Sequence, residues 1–227
     1  GVAAAADGAH SIRRILAEQG YANVMFAAAP SQLDLYRGLL RADVDWGKVN
    51  AFHMDNYIGL SDDAPQQFSN YLMRHLFQRL AFHTIYLMGG QEKDVTRYAQ
   101  VLKDNPIDIC FMGIGENGHI AFNDPGEADF HDPLGVKKAA LDDVCRMQQV
   151  HDGCFDKLDD VPQYAITATV PQLFSARHIV CVVPAITKAN AVKQTLQGGV
   201  DENCPASILR THPSACMYLD REAASML

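Results

Sequence analysis

The chain has 227 residues, 48% of them hydrophobic and 20% charged, which suits one large α/β domain or two small ones with a sizeable core. Its formal net charge of −8 excludes a broad nucleic-acid surface, which needs clustered Lys and Arg, but leaves room for a small anionic substrate held by a few local cations. No apolar run is long enough to cross a bilayer, and six cysteines without a C-x-x-C pair or zinc-finger spacing to histidine fit a reduced, cytoplasmic setting.

Residues 1–6 lack the basic start of a signal peptide and open straight into a helical pattern, which reads as a chain without its natural first segment. Ala5, Ala9, Ile12 and Leu16 share a helix face, with Gly20 as its stop. A strand over 24–29 follows. Ser31 is placed to cap a helix whose inner face carries Leu33, Tyr36 and Leu40. A second strand, 49–54, ends at Asp55. Phe68, Leu72, Leu76 and Leu80 form one face of a third helix. A short strand over 84–88 and a helix over 93–102 come next.

The most apolar strand is 107–112, which runs directly into the glycine-rich stretch GENGHIAFNDP. Cys110 and, later, Cys181 read as small core residues. A buried strand over 178–183, a helix over 187–196 and a last strand over 215–219 complete the chain. This alternation predicts an α/β fold: a doubly wound, mainly parallel sheet covered by helices on both faces. The stretch 125–160 is polar, charge-rich and weakly periodic, and is expected to be a lid or irregular insertion in a single domain over 1–227.

Ligands of such sheets bind beyond the carboxyl ends of the strands, which selects the loops starting at Ala28, Asp55 and Gly113. In the last of these, Gly113, Gly115 and Gly118 permit tight turns and close backbone approach. An imidazole such as that of His119 can move protons, with Asn117 and Asp124 placed to orient it. The plain alternative is a glycine-rich turn with a capping Asp. Asp55 at a strand end is either a general base lifted by burial or a turn cap. His53 reads as a strand residue facing a polar layer. Lys188, in the first turn of its helix, is either an anion ligand or a solvated surface lysine. Arg146 and His151, in the polar insertion, could close over a phosphate or lie on a helix surface. The remaining histidines form no ligand constellation, so no metal site is expected.

FHMDNYIGL at 52–60, MGIGENGHIAFNDPG at 112–126, DVPQYAIT at 160–167 and PASILRTHP at 205–213, with a weaker match at LYRGLL, resemble the glucosamine-6-phosphate deaminase family of the wider 6-phosphogluconolactonase group. Where the lactonase branch continues from its histidine with Thr-Ala-Ser-Leu-Phe, this chain has Ile120-Ala121-Phe122-Asn123, as deaminases do. The resemblance implies a modified doubly wound α/β fold and conversion of glucosamine 6-phosphate to fructose 6-phosphate and ammonia, without a cofactor, by a hydrolase/isomerase of amino-sugar metabolism. It implies that Asp55 shuttles a proton, His119 assists ring opening, Asp124 partners His119 and Lys188 binds phosphate. Ser31, Arg146, His151, Gly115 and Gly118 complete the expected substrate site. A homo-oligomer is open, since family members range from monomers to hexamers.

The chain departs from the family at four places. Asn117 stands where the family has an Asp. Asp124 replaces a Glu, moving the carboxylate by about one bond length, roughly 1.5 Å. The first loop, Ala27-Ala28-Ala29-Pro30-Ser31-Gln32, lacks the family's glycines, and Pro30 has no N–H for an anion. His151 falls near a family arginine position. These departures admit two alternatives: a related sugar-phosphate isomerase or lactonase with altered phosphate recognition, or a non-catalytic sugar-phosphate-binding protein.

Overall fold

A computed structural model describes residues 1–227. In chain order the elements are α1 (Val2–Gln19), β1 (Ala22–Phe26), α2 (Leu33–Leu39), β2 (Val49–His53), β3 (Asp55–Tyr57), α3 (Phe68–His75), β4 (Thr84–Ile85), α4 (Lys93–Asp104), β5 (Ile109–Met112), β6 (Val136–Ala140), α5 (Asp143–His151), β7 (Tyr164–Ala168), α6 (Val170–Phe174), β8 (His178–Val183), α7 (Ala189–Gln197) and β9 (Ala215–Leu219).

Six strands form one parallel sheet in the order β4-β2-β1-β5-β8-β9. Every residue of β1 and β8 is buried, as expected for a strand covered on both faces. Alternation along these strands splits the core into two layers. Val24, Phe26, Ile109, Phe111, Val180 and Val182 pack with Ile12, Ile15, Leu35 and Leu39 of α1 and α2. Met25, Cys110, Met112, Ile179 and Cys181 pack with Tyr98 and Leu102 of α4 and Val192 of α7. The α/β architecture expected from the sequence is therefore the one observed. From β1 the chain moves outward through β2 to β4, then crosses to β5, β8 and β9 on the other side. The direction of winding thus reverses between β1 and β5, and their carboxyl ends open on a crevice there.

A second sheet, antiparallel and ordered β3-β7-β6, has no counterpart in the sequence reading. β3 follows β2 after a single residue, Met54, so Asp55 is the point at which the chain passes from one sheet to the other. The stretch 125–160 is correspondingly regular, holding β6 and α5. Asp142 caps α5 by accepting from the Cys145 amide at 2.6 Å.

Several expected boundaries move. The first strand stops at Phe26, leaving 27–29 as loop. Ser31 is not a cap: it sits inside a 3-10 turn, Pro30–Gln32, ahead of α2. α3 ends at His75, and Leu80 lies beyond a further 3-10 turn over Phe77–Arg79. The strand expected over 84–88 pairs only at Thr84–Ile85. Lys188 closes a 3-10 turn and stands at the N-cap of α7. No helix is long and apolar enough to cross a membrane.

Candidate active site

The loops at the carboxyl ends of β1, β2, β5 and β8, with the end of α5, enclose a cavity of about 210 Å³. Asp55, His119 and Lys188 all line it, together with Ser31 and Gly115. Two residues that sit at positive φ without being glycine, Ala121 (φ 50) and Ala185 (φ 82), also line it, so the backbone is strained where it faces the cavity.

Asp55 is held from behind. The Met88 amide donates to His53 Nε2 at 2.8 Å, so the proton of the neutral ring must reside on Nδ1. Nδ1 then donates to the Asp55 carbonyl at 3.0 Å. Burial pushes the His53 pKa down to about 4, which keeps the ring neutral at working pH. Tyr98 completes the clamp: its hydroxyl receives the His53 amide at 3.0 Å and donates to the His53 carbonyl at 2.9 Å. The sequence reading took His53 for a strand residue beside a polar layer; its contacts make it the anchor of the Asp55 backbone. On the cavity side, Asp55 is only 5% exposed and its Oδ1 has no hydrogen-bond partner. Desolvation raises its carboxyl from 3.8 to about 8. The shift comes from removal from water rather than from a charged neighbour.

His119 is fixed by a network on its other side. Its Nδ1 lies 2.9 Å from Asp124 Oδ1. Gly115 is required for this approach, since a Cβ there would fall 2.1 Å from the imidazole. Asn117 accepts from the His119 amide at 3.1 Å and donates to both Asp124 (3.2 Å) and Asp142 (3.0 Å). An amide is needed at that point: it offers two N–H groups to two carboxylates, where a third carboxylate would offer none. Burial alone would push Asp124 up, but the contact with His119 and hydrogen bonds from Asn117 and the Asp142 amide outweigh it and hold the carboxyl below its usual value.

His119, Asp124 and Cys145 bring their ligating atoms within 4.8 Å of one another. Asp124 is already committed to Asn117 and the Asp142 amide beside His119, and burial pushes the Cys145 thiol well up, so the three form a close set suited to holding the imidazole.

The phosphate-side residues divide. Lys188 is 6% exposed and its Nζ has no partner. Ser31 lines the cavity and accepts from Gln32 Nε2 at 3.2 Å. Arg146 does not reach the cavity: its guanidinium is spent on Asp143 (2.9 Å) and on the carbonyls of Leu158 and Val161. His151 is also outside, half exposed and 3.6 Å from Glu116. Gly118 lies behind the wall, at φ +84, where a Cβ would meet Cys204 at 2.8 Å. Gln32, Gln148, Gln149 and Asp152 line the cavity and were not foreseen; only their position on α5 and the β1 loop, known from the fold, brings them there.

A family model described as glucosamine-6-phosphate isomerases/6-phosphogluconolactonase matches residues 2–217. A protein of Listeria monocytogenes named glucosamine-6-phosphate deaminase is 38% identical over 197 residues, covering 85% of this chain and 82% of that protein. One of the same name from Lactobacillus delbrueckii is 33% identical over 214 residues, covering 92% and 89%. Among solved structures, a monomeric glucosamine-6-phosphate deaminase superposes with a TM-score of 0.88 at 29% identity, covering 99% of this chain and 94% of that one. A 6-phosphogluconolactonase from Trypanosoma brucei reaches 0.78 at 16% identity, covering 99% and 94%, a likeness of fold alone.

Two outcomes are expected from this geometry. From about pH 4 to about pH 8 the native state keeps a proton on Asp55 that the unfolded chain has lost, so this group's contribution to stability falls as pH rises through that window. The Asp55→Asn variant lacks that slope and should melt above the wild type at pH 8; identical pH slopes in thermal unfolding would contradict the desolvated carboxyl. Asn117→Asp removes two donors and crowds three carboxylates, and should lower stability in urea unfolding at neutral pH by about 1–3 kcal/mol. Unchanged stability would show that the amide does not bridge Asp124 and Asp142.

Proposed function

Since the chain belongs to the glucosamine-6-phosphate isomerase/6-phosphogluconolactonase family, we propose that it is an aldose–ketose isomerase and deaminase converting glucosamine 6-phosphate to fructose 6-phosphate and ammonia. The observation that carries this reading is the placement of Asp55 and His119 in one cavity, the first desolvated and unpartnered, the second held by Asp124.

The reaction needs two proton carriers, and the site has two. His119 moves the proton that opens the hexose ring, its orientation set by Asp124 and its amide by Asn117. Asp55 takes the proton from carbon 2 of the open aldose and returns it to carbon 1, while the carbonyl oxygen at carbon 1 gains a proton and the nitrogen at carbon 2 loses one. The nitrogen at carbon 2 becomes an imine. Water adds there and the amine leaves as ammonia, giving the ketose. A carboxyl raised to about 8 is basic enough to accept a carbon-bound proton and acidic enough to give it back. Asn123 shapes the floor, its amide holding the carbonyls of Ile120 and Ala168 at 2.9 Å each.

Lys188 is the binding group for the phosphate, assisted by the Ser31 hydroxyl. The whole chain acts as one domain. The segment 125–160 forms part of the cavity cover, through Gln148, Gln149 and Asp152. A free sugar phosphate as substrate fits a cytoplasmic enzyme.

Ammonia release from glucosamine 6-phosphate tests the reading. The kcat/KM is expected to rise with pH to a plateau above about 8, as Asp55 ionises. Asp55→Asn should lower kcat by about 10²–10⁴-fold, and His119→Ala by a similar factor. Release within tenfold of wild type in Asp55→Asn would overturn the assignment.

A further inference from the structure

Gln32, Gln148 and Gln149 line the cavity, and one of the three has its whole carboxamide free. Gln32 is fixed: its Nε2 donates to the Val182 carbonyl at 3.1 Å and to Ser31 Oγ at 3.2 Å, and its Oε1 is sealed in the interior. Gln148 is spent as well, its Oε1 accepting the Glu116 amide at 2.9 Å and its Nε2 donating to Asp152 Oδ2 at 3.4 Å. Gln149 is 6% exposed, yet neither end of its carboxamide bonds to any group of the chain, and both ends keep contact with open space. A carboxamide buried to that degree is ordinarily paired, because burying it bare forfeits its hydrogen bonds to water. Here it faces the cavity, so its partner is what the cavity holds.

The other polar groups of the cavity sort by what they can bind. Lys188 Nζ, the hydroxyls of Ser31 and Thr187, and the free backbone amides of Ala28, Ala29, Ser31, Ile114 and Thr187 all offer hydrogens. A phosphate dianion only accepts, so that set suits it. Asp55 and His119 exchange protons at carbons 1 and 2 in the proposed reaction. The hydroxyls between those carbons and the phosphate both donate and accept. A primary carboxamide does the same, with two N–H groups and a carbonyl. Asp152 as a carboxylate only accepts, and its Oδ2 already receives Gln148.

We propose that Gln149 reads the sugar: its carboxamide binds hydroxyls at carbons 3 and 4 of the hexose, and so separates a hexose phosphate from a phosphate without those hydroxyls. This deepens the proposed reaction and rests on Asp55 and His119 as its proton carriers. Gln149 comes from α5, whose start is tied to the loop of His119 through Asp142 and Asn117, and whose middle is tied to it through Gln148 and the Glu116 amide. The carboxamide is thereby presented from a fixed backbone.

Gln149→Met keeps the length of the side chain and removes its hydrogen bonds. In the full chain, calorimetric affinity for fructose 6-phosphate should fall about tenfold, while that for inorganic phosphate stays within about twofold. The kcat/KM for ammonia release from glucosamine 6-phosphate should fall by at least about tenfold. Gln149→Glu, which keeps the shape and an acceptor but loses both N–H groups, should lower the ratio of the two affinities in the same direction, and decides the matter where the methionine variant does not fold. Both ligands are phosphates, so its added charge acts on both and cancels in their ratio. An unchanged ratio overturns the proposal, and so does a parallel loss of both affinities, which would mark a merely structural role. Absence of ammonia release from the wild type ends the proposed reaction, while the ratio still decides the role of Gln149.

Discussion

The arrangement depends on keeping one carboxylate out of water. Asp55 follows the only residue that separates β2 from β3, and its side chain enters the cavity at the seam between the two sheets. Its backbone is fixed by the neutral His53 ring and, through His53, by Met88 and Tyr98. Nothing equivalent is offered to its side chain: Oδ1 stands without a partner. Burial without compensation is normally a defect, costly in stability. In a base that must capture a carbon-bound proton it is the source of reactivity, and the surrounding core holds the strain.

The histidine side follows the opposite rule. Asp124, beside His119, receives donors from Asn117 and the Asp142 amide, and Asp142 in turn caps α5. The departure from the family at position 117 is consistent with this pairing. An amide satisfies two carboxylates at once, and the second of them, Asp142, is the residue that starts α5. The loop after β5 and the helix that supplies Gln148, Gln149 and Asp152 are thereby joined through one side chain. Catalytic orientation and cavity shape share a single hydrogen-bond network.

The main sheet was legible because its strands are covered on both faces, so β1, β5 and β8 read as unbroken apolar runs. The second sheet was not: β3 is three residues long, and β6 carries Lys137 and Lys138 among small residues. The stretch 125–160 consequently looked irregular, although it supplies a strand and a helix. Asp55 stood out because it ends a strand and Lys188 because it starts a helix after one, while His119 and Asp124 stood out in the glycine-rich loop after β5. Arg146 was misjudged because its demand is local: Asp143, three residues earlier on the same helix, takes its charge, and two backbone carbonyls take the rest. Asp152 and the glutamines gave no signal, since only the packing of α5 against the β5 and β8 loops turns them toward the cavity.

Desolvation as the origin of the base can be observed at the atom concerned. A carbon-13 NMR titration of the Asp55 carboxyl, assigned by its absence in the asparagine variant, reads the ionisation directly and independently of any substrate. The account predicts a midpoint near the value of about 8 set by burial. A midpoint near the ordinary aspartate value of about 4 would mean that water or an unseen partner reaches the carboxylate, and would contradict it.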